Sequence, residues 1–147
     1  MGGRTPIHRL LLVTAITLGS FALASTSTAA ERVYFPSHCN NLAFRPRTVI
    51  VACGDGNFQL RKMHWRRWNR HTALGSGLGY VNDCQPACYL GHFHYYPVTV
   101  RLYEPHRCYG SDGALQFRKL SYTFQGPYPY GRSGKVPFQC ADEAAGY

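Results

Sequence analysis

Apolar and polar positions alternate along two stretches of the chain. In "TVIVAC" (48–53) β-branched residues dominate, and in "PVTVRLYE" (97–104) Val98, Val100 and Leu102 point one way while Thr99, Arg101 and Tyr103 point the other. Period-two alternation is the signature of a half-buried strand. "TALGSGLGYV" (72–81) sets Ala73, Gly75, Gly77 and Gly79 at alternate positions, and glycines spaced in this way let another segment lie close on that face. "KVPFQC" (135–140) predicts a closing strand that Pro137 confines to a sheet edge. Between these lie turn-rich segments, "CGDGN", "NDCQPACYLGH", "CYGSDGA" and "QGPYPYGRSGK". No apolar stripe of useful length runs at helical spacing. About six short strands with glycine and proline punctuation predict an all-β domain, a small antiparallel sandwich or a barrel-like sheet.

One pattern occurs twice. Residues 58–65 read "FQLRKMHW" and residues 115–122 read "LQFRKLSY", each after a cysteine and a Gly-Asp-type turn. A duplicated hairpin and convergence on a common hairpin both account for this. Within each copy the apolar parity changes across the Arg-Lys pair: Phe58 and Leu60 are even, Met63 and Trp65 odd. A strand keeps period two through such a step only with an extra residue, so β-bulges are expected at Arg61-Lys62 and at Arg118-Lys119. The rival for the first copy is a helix, since Leu60, Met63, His64 and Trp68 also fit helical spacing. The preceding turn and the second copy favour strand.

Composition changes the picture at the start of the chain. Residues 1–30 combine a positive beginning (Arg4, His8, Arg9), an apolar run from Leu10 to Ala24 and the small-residue stretch "ALASTSTAA". That order predicts a secretory signal peptide, cleaved after Ala24 or, preferably, after Ala30. The run falls short of the ~20 residues that span a bilayer, so no integral membrane association is expected after cleavage. Residues 31–140 then form one β-rich domain, with 141–147 as a C-terminal tail. The whole chain carries a formal charge of +9, which favours acidic partners and is silent on fold. Its six cysteines, Cys39, Cys53, Cys84, Cys88, Cys108 and Cys140, all follow the leader, and an even count in an exported chain of this size predicts disulfides. Spacing alone does not choose the pairing. The one preference is Cys53 with Cys84 or Cys88, which would tie the first hairpin to the long loop.

Four motifs stand together in the middle of the chain: Cys-Gly-Asp-Gly-Asn at 53–57, Trp-x-x-Trp at 65–68, Asn-Asp-Cys-x-Pro-x-Cys at 82–88, and Gly-x-Phe-x-x-Tyr-Pro-Val at 91–98. Through them the stretch from Pro46 to Leu102 resembles a family of small secreted actinobacterial proteins of unknown function. The resemblance implies a secreted β-rich domain and carries no catalytic residue across. Cys39 and Cys140 lie outside it. The cations between the tryptophans also depart from the Ser, Thr and Gly expected there, which makes the charge a feature of this chain.

That charge is densest in "RKMHWRRWNRH" (61–71). In a strand, Lys62, His64 and Arg66 share a face opposite Met63 and Trp65, and Arg67, Trp68, Arg70 and His71 enter the next loop. Arg61, Lys62, Arg66, Arg67 and Arg70 are therefore the candidate binding residues for an acidic polymer: a cell-wall anionic polymer such as teichoic acid, a nucleic acid or an acidic polysaccharide. An exposed Trp68 would add a stacking platform. The plain alternative is a solvated strand face with Trp65 in the core and arginines stacked over Trp68.

Catalysis and metal binding find less support. "CQPAC" with "GHFH" places two cysteines and two histidines close together, but export oxidises such thiols. Asp55, Asp83 and Asp112 sit in turns, Glu104 precedes a proline, and Ser76 lacks the flanks of a nucleophile elbow. The best enzyme alternative is a small secreted ribonuclease using two of His64, His71, His92, His94 and His106, though no spacing selects a pair. A third reading places Tyr80, Tyr89, Phe93, Tyr95, Tyr96, Tyr128 and Tyr130 on loops that bind a protein or neutral glycan. No cofactor motif or metal site is expected, and the oligomeric state is left open.

Overall fold

A computed structural model of the chain describes residues 1–3, 31–108, 113–126 and 131–141. Most of the predicted leader, Tyr128, Tyr130 and the tail beyond Ala141 lie outside the described residues. Eight strands form: β1 (Val33–His38), β2 (Asn41–Ala43), β3 (Val49–Ile50), β4 (Phe58–Trp68), β5 (Thr72–Asn82), β6 (Phe93–Arg107), β7 (Leu115–Phe124) and β8 (Ser133–Pro137). They make one sheet in the order β2-β1-β7-β6-β5-β4-β3, with β8 also paired to β7. All pairings are antiparallel except β1 with β7. Among the described residues there is no helix, so none long and apolar enough to cross a membrane. Of the two predicted architectures, the chain takes the barrel-like one: a single sheet curled into a half-barrel.

The curl puts the core on the concave side. Val33, Phe35, Val49, Leu60, Met63, Ala73, Val98, Val100, Leu102, Phe117, Leu120 and Phe124 are buried there. The glycines of β5 make the curl possible by leaving room for rings and sulfur from neighbouring strands. A Cβ on Gly75 would stand 2.7 Å from the Trp65 ring, one on Gly77 2.6 Å from Met63 Sδ, and one on Gly79 against Phe124. The close approach expected from the glycine spacing is thus present.

The bulge expected at Arg61-Lys62 is also present. The β4–β5 register shifts between Arg61 and His64, and Lys62 takes a left-handed φ of 53°. A second shift follows between Trp65 and Arg67. Two extra residues keep Leu60, Met63, Trp65 and Trp68 on the inner side, which a regular strand cannot do. The bulge expected at Arg118-Lys119 is corrected. Phe117 and Leu120 are both buried, so the parity does change, yet β6 and β7 keep one register from Val98↔Phe124 to Arg107↔Leu115. The facing strand makes the same step. Glu104 turns to φ 55°, and Leu102 and Pro105 stay opposite Leu120 and Phe117. When both strands step together, neither needs an extra residue.

The disulfides are Cys39–Cys53, Cys84–Cys88 and Cys108–Cys140, which overturns the preference for Cys53 with Cys84 or Cys88. The reason is the curl. It brings the β1–β2 turn, at one end of the sheet, to the turn after β3 at the other, with the Cα atoms of Cys39 and Cys53 5.6 Å apart. Cys84 and Cys88 close their own turn around the cis Gln85-Pro86 bond. Cys108–Cys140 pins the C-terminal segment, so that Ala141 is buried and donates its N–H to Gln116 Oε1. By chain entropy, loops with separations of 14 and 32 residues contribute about 3 to 4 kcal/mol each. Trp68 adds a further tie across the gap, its Nε1 donating to the Val33 carbonyl at 2.9 Å.

Candidate binding face on the outer side of the sheet

The register of β4 to β8 decides which side chains stand together outside. One row across the five strands is Arg67, Leu74, Arg101, Ser121 and Lys135. The next is His64, Ser76, Thr99, Thr123 and Ser133. Then come Arg61, Leu78 and Pro97, and after them Gln59, Tyr80 and Tyr95. With strands ~4.8 Å apart, a five-strand row spans about 20 Å. Each bulge adds a cation to this pattern. Arg66 lines a shallow groove with Thr99, Arg101 and Ser121, and Lys62 lines a second one with His64, Ser76 and Gln125.

Lys62, His64, Arg66, Arg67, Arg101 and Lys135 are all exposed. The described carboxylates are occupied elsewhere. Glu31 bonds Arg70 and Arg107, and Asp55 accepts from the N–H and side chain of Asn57. Glu104 pairs with Lys119. Asp83 accepts from the N–H groups of His92 and Gln85 and meets His94 Nε2 at 2.9 Å. Those contacts, the His92 N–H first, hold its carboxyl down at about 2. No described carboxylate belongs to these four rows; Glu104 stands one row beyond them, on Lys119, which pairs with Tyr103 and Pro137.

The fold brings together Lys62, Arg66 and Arg67 of the predicted set and separates the others. Arg61 lies over the Tyr80 ring, its Cζ 3.8 Å from the centroid, while Nε and Nη2 donate to Gln59 Oε1. Arg70 sits in the β4–β5 turn and pairs with Glu31 at 3.2 Å. Trp68 is corrected outright. The second bulge turns it inward opposite Ala73, where its ring meets Trp65 and Phe117 edge-on at 4.8 and 5.6 Å. It braces the core and offers no platform to a ligand on the cationic face. Arg101 and Lys135 were missed. Alternation already put Arg101 on the outer side of its strand, but only the register sets it in one row with Arg67, across Leu74.

The remaining candidates also find their places. Cys84 and Cys88 are spent in a disulfide, and among the described residues no group of three His, Cys, Asp or Glu is placed to hold a metal. Of the five histidines of the ribonuclease alternative, His64, His94 and His106 stand opposite Ser76, Val81 and Gln116 in the sheet. Of the tyrosine set, Tyr96 packs inward on Phe124, Tyr89 stands out from the disulfide loop, and Tyr80, Phe93 and Tyr95 cluster on the outer face. Comparison with family models, curated proteins and solved structures finds no match to this chain.

Proposed function

We propose that the chain is an exported, non-enzymatic binding module that holds an acidic extracellular polymer against the outer face of β4 to β8. The polymer class comprises cell-wall anionic polymers, nucleic acids and acidic polysaccharides. One observation carries the reading: Arg67, Arg101 and Lys135 share a single row across five strands, flanked by Arg66 and Lys62, with no described carboxylate among them. A convex array of cations, none paired with a described carboxylate, releases counterions when a polyanion docks, and its affinity therefore falls with salt. The leader pattern and three disulfides support export, where oxidised cysteines persist.

The test is a salt titration of polymer binding by the oxidised protein and by an Arg66→Ser/Arg67→Ser/Arg101→Ser variant. Log affinity of the parent should fall linearly with log salt, and the variant's slope should be shallower by roughly 0.7 to 0.9 per lost contact. Its melting temperature should match the parent's, since all three side chains are exposed. Equal slopes for the two proteins would remove this face from consideration.

A further inference from the structure

The outer face is not uniformly charged. Tyr80 lies four positions along β5 from Ser76 and six from Leu74, so the aromatic row lies about 13 Å from the hydroxyl row and about 20 Å from the cation row. At the aromatic end Tyr80 and Phe93 stack with centroids 4.4 Å apart and planes at 15°, and Tyr95 follows at 4.7 Å. Phe93 keeps 37% and Tyr95 52% of its surface exposed. Arg61 locks this cluster: it covers Tyr80, donates from Nη1 to the Tyr95 hydroxyl at 3.3 Å, and is itself held by Gln59. A platform fixed before the ligand arrives loses little side-chain freedom on binding.

Building on the proposed polyanion function, we propose that the polymer is an acidic polysaccharide, and that Tyr80, Phe93 and Tyr95 form its sugar-ring subsite. The apolar face of a sugar ring lies on the exposed faces of Phe93 and Tyr95. The chain then crosses Ser76, Thr99 and Thr123: the Ser76 and Thr123 hydroxyls donate to and accept from a sugar's hydroxyls, and Thr99 Oγ1, which donates to the Thr123 carbonyl at 3.4 Å, accepts. Its acidic group reaches Arg66, Arg67 and Arg101. The spacing of charge favours this class over a duplex. B-DNA presents a charge every ~1.7 Å of axis, whereas here Arg66, Arg67, Arg101 and Lys135 gather at one end, and Lys62 and His64 stand beside the neutral hydroxyls in the middle of the face. A polymer without rings leaves the aromatic end unused.

Three probes separate these cases: polygalacturonate (rings and carboxylates), inorganic polyphosphate (charge without rings) and oligo-dT (charge with bases). They are titrated against the full oxidised protein, a Phe93→Ser/Tyr95→Ser variant, a Tyr95→Phe variant and the triple arginine variant. Phe93→Ser/Tyr95→Ser should weaken polygalacturonate about tenfold without changing its salt slope, and should leave polyphosphate binding as in the parent. Tyr95→Phe keeps the ring but loses the bond from Arg61, and should weaken polygalacturonate by less than Phe93→Ser/Tyr95→Ser does. Unchanged polygalacturonate binding by Phe93→Ser/Tyr95→Ser, with a shallower slope in the arginine variant, overturns the sugar subsite and leaves the polyanion reading standing. Tighter binding of oligo-dT than of polygalacturonate, with the larger loss on oligo-dT, makes the rings base platforms and overturns the polysaccharide. Failure of all three probes to bind at low salt removes both readings together.

Discussion

β4 and β7 begin with the same eight-residue pattern of apolar and polar types, identical at Gln, Arg and Lys, each as the second strand of an antiparallel hairpin, and use it differently. Their inner sides agree: Leu60, Met63 and Trp65 in one, Phe117, Leu120 and Tyr122 in the other, all contribute to one core. Their Arg-Lys pairs do not agree. In β7, Arg118 donates to the Phe138 carbonyl and approaches Cys140 Sγ at 3.4 Å, and Lys119 Nζ lies 2.9 Å from Glu104 Oε1. In β4 the partner strand offers glycines and leucines in place of acceptors. Arg61 rests on a ring, and Lys62 is pushed outward at a bulge. Both arginines find acceptors and act as scaffold, whereas the lysine is paired where the facing strand supplies a carboxylate and is turned to the surface where it supplies none. What decides is the facing strand, not the local sequence.

The comparison has an even half and an uneven half, and each can be broken separately. The largest effects belong to the even half. Met63 and Leu120 are 2% and 0% exposed, so Met63→Ala and Leu120→Ala should each cost about 2 to 5 kcal/mol in urea unfolding. A loss below about 1 kcal/mol at Met63 alone would mean that the bulged strand does not pack as the regular one does. Arg118→Ser and Arg67→Ser probe the uneven half. The first leaves the carbonyl of buried Phe138 without its guanidinium donor and should cost about 1 to 3 kcal/mol. The second should stay within about 0.5 kcal/mol and instead reduce the salt slope of binding. If the two stability losses are equal, Arg67 is scaffold too.

How much of this was legible depended on how far each feature reaches along the chain. The β4 bulge could be read from Leu60 and Met63 alone, because a parity step inside a strand has one remedy within that strand. The β7 step looked identical, and its remedy lay in Glu104 on the facing strand. β1 went unread because Pro36 interrupts a short segment whose pairing, Val33 with Leu115 and Tyr34 with Gln116, is parallel and distant in sequence. Cys39–Cys53 was hidden for a related reason, since only the curl brings the two ends of the sheet together. At the site, Lys62, Arg66 and Arg67 are neighbours in sequence and were found. Arg101 joins them only through two successive registers and Lys135 through four, and Trp68 changed sides at a second bulge whose parity step falls among arginines, which face water on either strand side.

The smallest effect tests the lysine of β7 by itself. Its pKa is raised from the ordinary 10.5, chiefly by the hydrogen bond to Glu104. A lysine held above its unfolded value stabilises the fold in full below pH 10.5 and loses that contribution as pH rises through the higher folded value. Lys119→Met removes the contribution at every pH. The gap between parent and variant urea midpoints should therefore be open at neutral pH and should narrow above pH 10.5. The amplitude will be modest, because the pair faces solvent and salt screens it. A gap that stays constant across this range would show that Lys119 contributes through its methylene stem and not its charge. The contrast between the two strands would then rest on Arg118 alone, since a lysine that draws nothing from Glu104 is as free for a ligand as Lys62.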